Sequence, residues 1–200
     1  ELPRPTFTWL RVNHTVSSLA GEDTSVQSIA VEANKDILSP LPVGTALLDG
    51  NYEGANKEAV HVLVEKAEGY AINVPPKAKE VVGIRIDANA RVANRFQFIV
   101  GEGAELEVQF YVTGSGDALT NVSYLNEYDV KEAGKVVVKK VNLLPEHVQH
   151  IEHRYTKLEE KADVEYINIE IGGSENILNY YHDLVGQESR MVHDIAYLGN

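Results

Sequence analysis

Three histidines stand three residues apart at His147, His150 and His153, with Glu146 and Glu152 beside them. Imidazole and carboxylate are common ligands of divalent transition metals, so a metal centre is the first chemistry to test. The spacing argues against a simple one. On a strand, His147 and His153 share a face but lie about 20 Å apart at about 3.3 Å per residue, and His150 points the other way. On a helix the i, i+3 spacing supplies part of a site, but the H-E-x-x-H order of zinc hydrolases is absent. These residues read as exposed or packing histidines on a polar element, and no metal ligand is assigned. His182-Asp183 and His193-Asp194 recur at a spacing of 11 residues. Such a pair serves as general base only beside a nucleophile. None is evident, so no catalytic residue is assigned and both pairs are expected on a solvent-facing polar rib.

Other chemistries fall to composition. The chain has no cysteine, which removes thiolate nucleophiles, disulfides, zinc ribbons and self-sufficient iron–sulfur ligation. Gly101-Glu102-Gly103 and Gly114-Ser115-Gly116 are followed by strand-like sequence rather than a helix N-terminus, so they are turns and not dinucleotide sites. No G-x-x-x-x-G-K-[ST] loop occurs, and the chain is not itself an ATPase. Asn13-His14-Thr15 and Asn121-Val122-Ser123 match glycosylation acceptors by chance, since no export signal accompanies them. Formal net charge is −12, with residues 1–100 contributing −2 and residues 101–200 contributing −10. That field repels phosphate backbones, and nucleic acid is not an expected partner. No apolar run approaches the ~18 residues that span a bilayer, so no membrane role is expected. Glu1 stands where a start methionine would, which suggests a processed or excised piece.

The elements that position these residues are mainly strands. Valine and isoleucine make up 37 of the 200 residues, a β-rich usage. Short apolar runs predict strands over 70–74, 81–87, 95–100, 106–112, 121–130, 136–141, 164–171, 177–184 and 191–198, separated by Gly, Pro, Asp and Ser. Residues 1–69 read as a small mixed α/β region. Its parts are an extended Pro-flanked start over 2–11, a strand over 20–31 and an amphipathic helix over 56–67. Asn56 is the expected N-cap, Ala59, Val60, Leu63, Val64 and Ala67 form the apolar face, and Gly69 is the stop. Residues 70–200 form the second unit.

That second unit repeats. Glu102-Gly103-Ala104-Glu105-Leu106, Glu132-Ala133-Gly134-Lys135-Val136 and Glu160-Lys161-Ala162-Asp163-Val164 share a turn, a small residue and alternating apolar positions. Ala104, Ala133 and Ala162 are spaced by 29 and 29 residues, with looser copies near Ala78, Ser174 and Ser189. Such a period suits one coil of a parallel β-solenoid, and it favours that fold over a β-sandwich, which also alternates strands and turns. One segment resists. Leu144, Val148, Ile151, Tyr155 and Leu158 form a helical stripe over 146–159, although Thr, Tyr, Val and Ile there also suit a strand.

Several of these segments resemble a known family. Glu68-Gly69-Tyr70-Ala71-Ile72-Asn73-Val74-Pro75-Pro76-Lys77-Ala78 is similar to the core entry of the SufB/SufD family of iron–sulfur cluster assembly proteins. Phe98-Ile99-Val100-Gly101-Glu102-Gly103-Ala104-Glu105-Leu106 resembles its recurrent V-G-E-x-A unit, and 124–138 and 152–166 resemble further coils. Trp9-Leu10-Arg11-Val12-Asn13 is similar to its upstream segment. The resemblance implies a right-handed parallel β-helix, and it implies β structure over 146–159 against the helical stripe. It also implies a SufC-type ABC ATPase and a second SufB/SufD-type subunit as partners.

The sequence departs from that family in lacking cysteine and in stopping at Asn200, apparently midway along the helix without the ATPase-docking helices. No family site residue is therefore placed here, no cofactor is expected in this chain, and an iron–sulfur cluster is implied only for the family complex. The expected function is a non-catalytic, cytoplasmic scaffold component of a SUF-type assembly complex, either a fragment or a degenerate subunit. A solenoid ending at Asn200 is expected to self-associate through its open end. The alternative is a β-solenoid that binds or cleaves carbohydrate, which requires a groove of convergent carboxylates. The sequence shows acids alternating with apolar residues instead, as at Glu105/Glu107 and Glu165/Ile167/Ile169.

Overall fold

A computed structural model describes residues 29–48, 52 and 57–198. The expected extended segment over 2–11, the matched Trp9 region, most of the 20–31 strand and the Asn56 cap lie outside the described residues. The described elements are β1 (Ile29–Glu32), β2 (Leu38–Leu41), α1 (Lys57–Lys66), β3 (Gly69–Val74), β4 (Lys79–Ala88), β5 (Val92–Val100) and β6 (Glu105–Gly114). They continue with β7 (Asn121–Val130), β8 (Lys135–Leu144), β9 (Gln149–Leu158), β10 (Asp163–Gly172), β11 (Glu175–Leu184) and β12 (Arg190–Leu198).

Strands β3 to β12 wind as five coils of two strands each. The even-numbered strands stack in one sheet in the order β4-β6-β8-β10-β12, and the odd ones in a second, β11-β9-β7-β5-β3. Every pairing between coils is parallel. Among the described residues, the only antiparallel neighbours are the short β1 on β4 and β2 on β3, which cover the first coil's edges. The protein is a parallel β-solenoid of about five turns.

The two corners of the coil differ. One is a four-residue turn closed by a hydrogen bond from its fourth N–H to its first carbonyl, seen at Ala78→Pro75, Ala104→Gly101, Gly134→Lys131 and Ala162→Glu159. Its third residue is left-handed in every coil: Lys77 (φ 63°), Gly103 (63°), Ala133 (55°), Lys161 (56°) and Glu188 (58°). The other corner varies in length, so paired strands are offset by 26, 30, 28 and 27 residues rather than a constant 29. This corrects the alanine repeat. Ala104 and Ala162 both align with Gly134, while Ala133 occupies the preceding left-handed position.

Residues 149–158 form strand β9, not a helix. The apparent helical stripe arises because β9 is buried on both faces, with Ile151 and Tyr155 outward and Leu158 inward. Outside the odd-strand sheet, Val60, Leu63, Val64 and Ala67 of α1 and its flank pack with Leu125 of β7, Tyr155 of β9 and Tyr52. This cover is fixed by a buried polar clasp. Arg95 donates to the carbonyls of Val64 (2.8 Å) and Thr45, and Glu127 accepts from Leu47 N–H (3.2 Å), Gln97 (3.0 Å) and the Tyr52 hydroxyl. Gly69 is required where the chain leaves α1, since a Cβ there would lie 1.9 Å from the Arg95 carbonyl oxygen.

Candidate functional site

The lumen between the sheets changes character along its axis. In the first two coils the inward positions are mainly apolar, buried Asn94 and half-buried Glu80 apart: Ile72, Val74, Val82, Ile84, Ile86, Phe96, Phe98, Val108, Phe110 and Val112 are all buried in one cluster. From the third coil on, the same inward rows carry Asn126, Lys140, Asn142, His150, Glu152, Arg154, Asn168 and Glu170, each no more than 1% exposed. Parallel stacking brings these together from β7, β8, β9 and β10 because each strand sets alternate side chains on the inner face.

Glu152 is the hub. It accepts from Lys140 Nζ (2.6 Å), Arg154 Nη2 (2.6 Å) and Nε (3.0 Å), Asn126 Nδ2 (2.9 Å) and the Tyr180 hydroxyl (3.2 Å). Burial opposes its ionisation, but Arg154 and Lys140 outweigh that and hold the carboxyl well below its ordinary range. Lys140 also pairs with Glu170, whose carboxyl is shifted upward chiefly by burial. Arg154 is clamped between the rings of Tyr166 (4.1 Å) and Tyr180 (4.2 Å). Burial works against its charge as well, yet Glu152 and the surrounding tyrosines hold it fully protonated.

His150 sits in this lumen, 3.0 Å from the Tyr124 hydroxyl, 3.1 Å from Asn142 and 3.2 Å from Asn176. Burial, followed by the Lys140 charge, lowers its pKa to about 3, so the ring is neutral. His153, one strand-face away, points outward yet is 1% exposed, and burial lowers it to about 4. His147 is exposed at the corner. The three histidines thus face three directions, because His147 lies on the corner before β9 while His150 and His153 take opposite faces of the strand.

His182 and His193 differ from expectation. They do not lie on a solvent rib but face inward in the last coil, where His182 stacks on Tyr166 at 5.5 Å and His193 lies 4.7 Å from Tyr180. Burial, then Arg154, lowers both to about 4. The cause is parity, because residue 193 pairs with inward Tyr166 while Asp194 pairs with outward Ile167. The polar lumen as a whole escaped the sequence reading. A signal existed in the alternation Tyr124/Asn126/Tyr128 and His150/Glu152/Arg154, which becomes visible once the register is known.

Chemically, this is an enclosed, charge-paired layer. His150 is a neutral ring held by hydrogen bonds from three sides, and Glu152 is saturated by donors. Among the described residues, no three His, Asp or Glu side chains are grouped to hold a metal ion. Among the described residues, the outward carboxylates Glu105, Glu107 and Asp163 pair with cations rather than converge on a groove. Each meets a neighbouring strand's cation, Lys79 (2.9 Å), Lys139 (2.9 Å) and Arg190 (3.3 Å) respectively. The carbohydrate alternative is therefore not favoured. Among the described residues no helix is long and apolar enough to cross a membrane.

Comparison with known proteins bears on the same coils. No curated protein and no solved structure matches the chain. The family model described as "SUF system FeS cluster assembly, SufBD core domain" matches residues 84–200, from within β4 through β12 and more than half of the chain. That span takes in four of the five coils and the whole polar lumen, so the chain belongs to the SufB/SufD family of SUF-system iron–sulfur cluster assembly proteins.

Proposed function

We propose that this chain is a non-catalytic scaffold component of a SUF-type complex, working in the cytoplasm with a SufC-type ABC ATPase and a second SufB/SufD-type subunit. The observation that carries this reading is the SufBD core match over residues 84–200. The lumen supports a structural role, since Lys140, Glu152, Arg154 and Glu170 pair with one another rather than converge on an open cleft. The iron–sulfur cluster is the cargo of the complex. No thiolate ligand to it comes from these 200 residues, which contain no cysteine.

Among the described residues, β11 and β12 each have one unpaired edge. Arg190 donates back to Ala162, so the two-residue alternation turns the N–H groups of His193 and Ile195 towards the free edge. Such an edge is a template for another strand. The second subunit adds there, and without it the same edge allows pairing between copies of this chain.

Co-expression with the ATPase and the second subunit tests the reading. The expected result is a ternary complex on size exclusion that carries the visible absorption of a bound cluster, whereas this chain alone carries none. Failure to co-elute with either protein at micromolar concentration overturns it.

A further inference from the structure

The two sheets are covered unequally. The odd-strand sheet has α1 and the residue 42–48 loop over its outer face, while the even-strand sheet has no described element over its own. Parallel sheets are ordinarily buried on both faces. Here the outer face carries Tyr111 (40% exposed), Leu143 (38%) and Ile169 (39%), with Val141, Ile167 and Ile171 half-buried among them. The registers Tyr111↔Val141↔Ile169 and Leu143↔Ile171 place five of these in two adjoining rows, with Ile167 in the next row opposite Lys139, making one contiguous apolar patch.

We propose that this face is the interface between two copies of the chain, packed sheet against sheet. Charge favours a second copy here. The outward positions of β4, β6, β8, β10 and β12 carry five basic and six acidic side chains, a net of −1 on a protein of net charge −12. Elsewhere two like-charged copies repel, whereas this face is almost neutral and six of its charges form three ion pairs across strands. Area also fits. Five strands at about 4.8 Å and ten residues at about 3.3 Å give a face of roughly 800 Å². That is about the area each partner contributes to a stable interface. The apolar rows lie at the C-terminal ends of the strands, with the ion-paired row Lys79–Glu105 and Asp163–Arg190 at the other end, giving an apolar contact with a charged rim. This interface is separate from the free edges of β11 and β12 and does not depend on the assembly role.

Sedimentation equilibrium of the full chain carrying Ile195→Pro isolates the face, because proline removes one edge donor without touching the outer surface. The expected mass is twice the 22.1 kDa of the chain. Association should strengthen with salt as the residual repulsion is screened. Adding Leu143→Lys and Ile169→Lys should weaken it on the order of 100-fold, since each lysine enters the interface twice. Both positions are exposed, and circular dichroism verifies the fold. A monomeric Ile195→Pro protein, or a dimer indifferent to the two lysines, overturns the proposal. A monomer whose face is instead protected by the ATPase or another subunit also overturns it.

A second measurement leaves the edge intact. The chain has no cysteine, so Val141→Cys at the face centre should give a covalent dimer with a short bis-maleimide. Glu132→Cys, on the exposed corner turn, should not. Absence of crosslinking at position 141 likewise counts against the proposal.

Discussion

The first two coils and the last two have the same backbone and opposite interiors. Both use parallel strands of nine or ten residues, apart from the six-residue β3, and the same left-handed corner turn. In coils one and two the inward rows are filled by Phe96, Phe98, Phe110, Ile84 and Ile86. Such a core is held mainly by apolar burial, which does not depend on the protonation of its own side chains. In coils four and five the corresponding rows hold His150, Glu152, Arg154, Glu170, Tyr180, His182 and His193. Burying charges costs several kcal/mol per ion and is offset only while every partner is present. The parallel ladder thus specifies the fold, and the lumen decides how conditional each coil's stability is.

The largest test of that contrast is acid. In the unfolded chain a histidine takes up a proton near pH 6.5. Buried His150 resists until about 3 and His153 until about 4. Between those values the unfolded state binds more protons than the folded one. The stabilisation is therefore complete above pH 6.5 and is lost as pH falls towards 4. These two rings alone should remove on the order of 5 kcal/mol by pH 4. His182 and His193 add in the same direction, discounted because they are partly exposed. Glu170 opposes them, since its raised pKa makes protonation easier in the folded state than in the unfolded one. Glu152 stays ionised across this window. Hydrogen exchange at pH 7 and pH 4.5, corrected for intrinsic rates, should show β9 to β12 opening while β3 to β6 stay protected. Equal loss in both halves would break the comparison.

A smaller effect comes from the hub itself. Glu152→Ala leaves Lys140 and Arg154 buried with their shared acceptor gone, and should cost about 3–5 kcal/mol in urea unfolding. At the apolar end, Ile84→Val removes one methylene and should cost about 1 kcal/mol. The loss at Ile84 should not vary between pH 7 and 5, whereas the urea transition of Glu152→Ala should split as the polar coils melt first. A single transition with unchanged slope for Glu152→Ala would mean that the two ends are one cooperative unit.

This division also explains what was legible in the sequence. The strands from β3 to β8, and β10 to β12, were readable from short apolar runs between turn residues, with clear alternation in places such as Val136/Val138 or Val164/Tyr166. The coil period was nearly readable because one corner is always four residues, but the other corner varies and shifts the true offsets. β9 was locally misleading, since polar His150, Glu152, Arg154 and Thr156 occupy its inner face and apolar Ile151 and Tyr155 its outer one. Periodicity assumes that inside means apolar, and here that assumption fails where the candidate site begins. The outward exposure expected of His182 and His193 failed for the same reason. Short strand β2 carries Pro40 and gave no periodic signal at all.

The smallest predicted effect concerns the feature both ends share. The third corner residue is left-handed throughout, yet only the second coil uses glycine there, at Gly103; the third and fourth use Ala133 and Lys161. A left-handed conformation costs a residue with a Cβ about 1–2 kcal/mol. Glycine avoids that cost but loses about 0.5–1 kcal/mol through its freer unfolded state. Ala133→Gly should therefore stabilise the protein by roughly 0.5 kcal/mol, and Lys161→Gly by a similar amount, seen as a higher urea midpoint with the slope unchanged. Gly103→Ala should destabilise by about as much. Because the turn hydrogen bonds are the same in each coil, these changes should be equal at pH 7 and pH 5. A pH-dependent gain at Ala133 or Lys161 would mean that the corner senses the charge state of the lumen, and the backbone and the interior could no longer be treated as separate contributions.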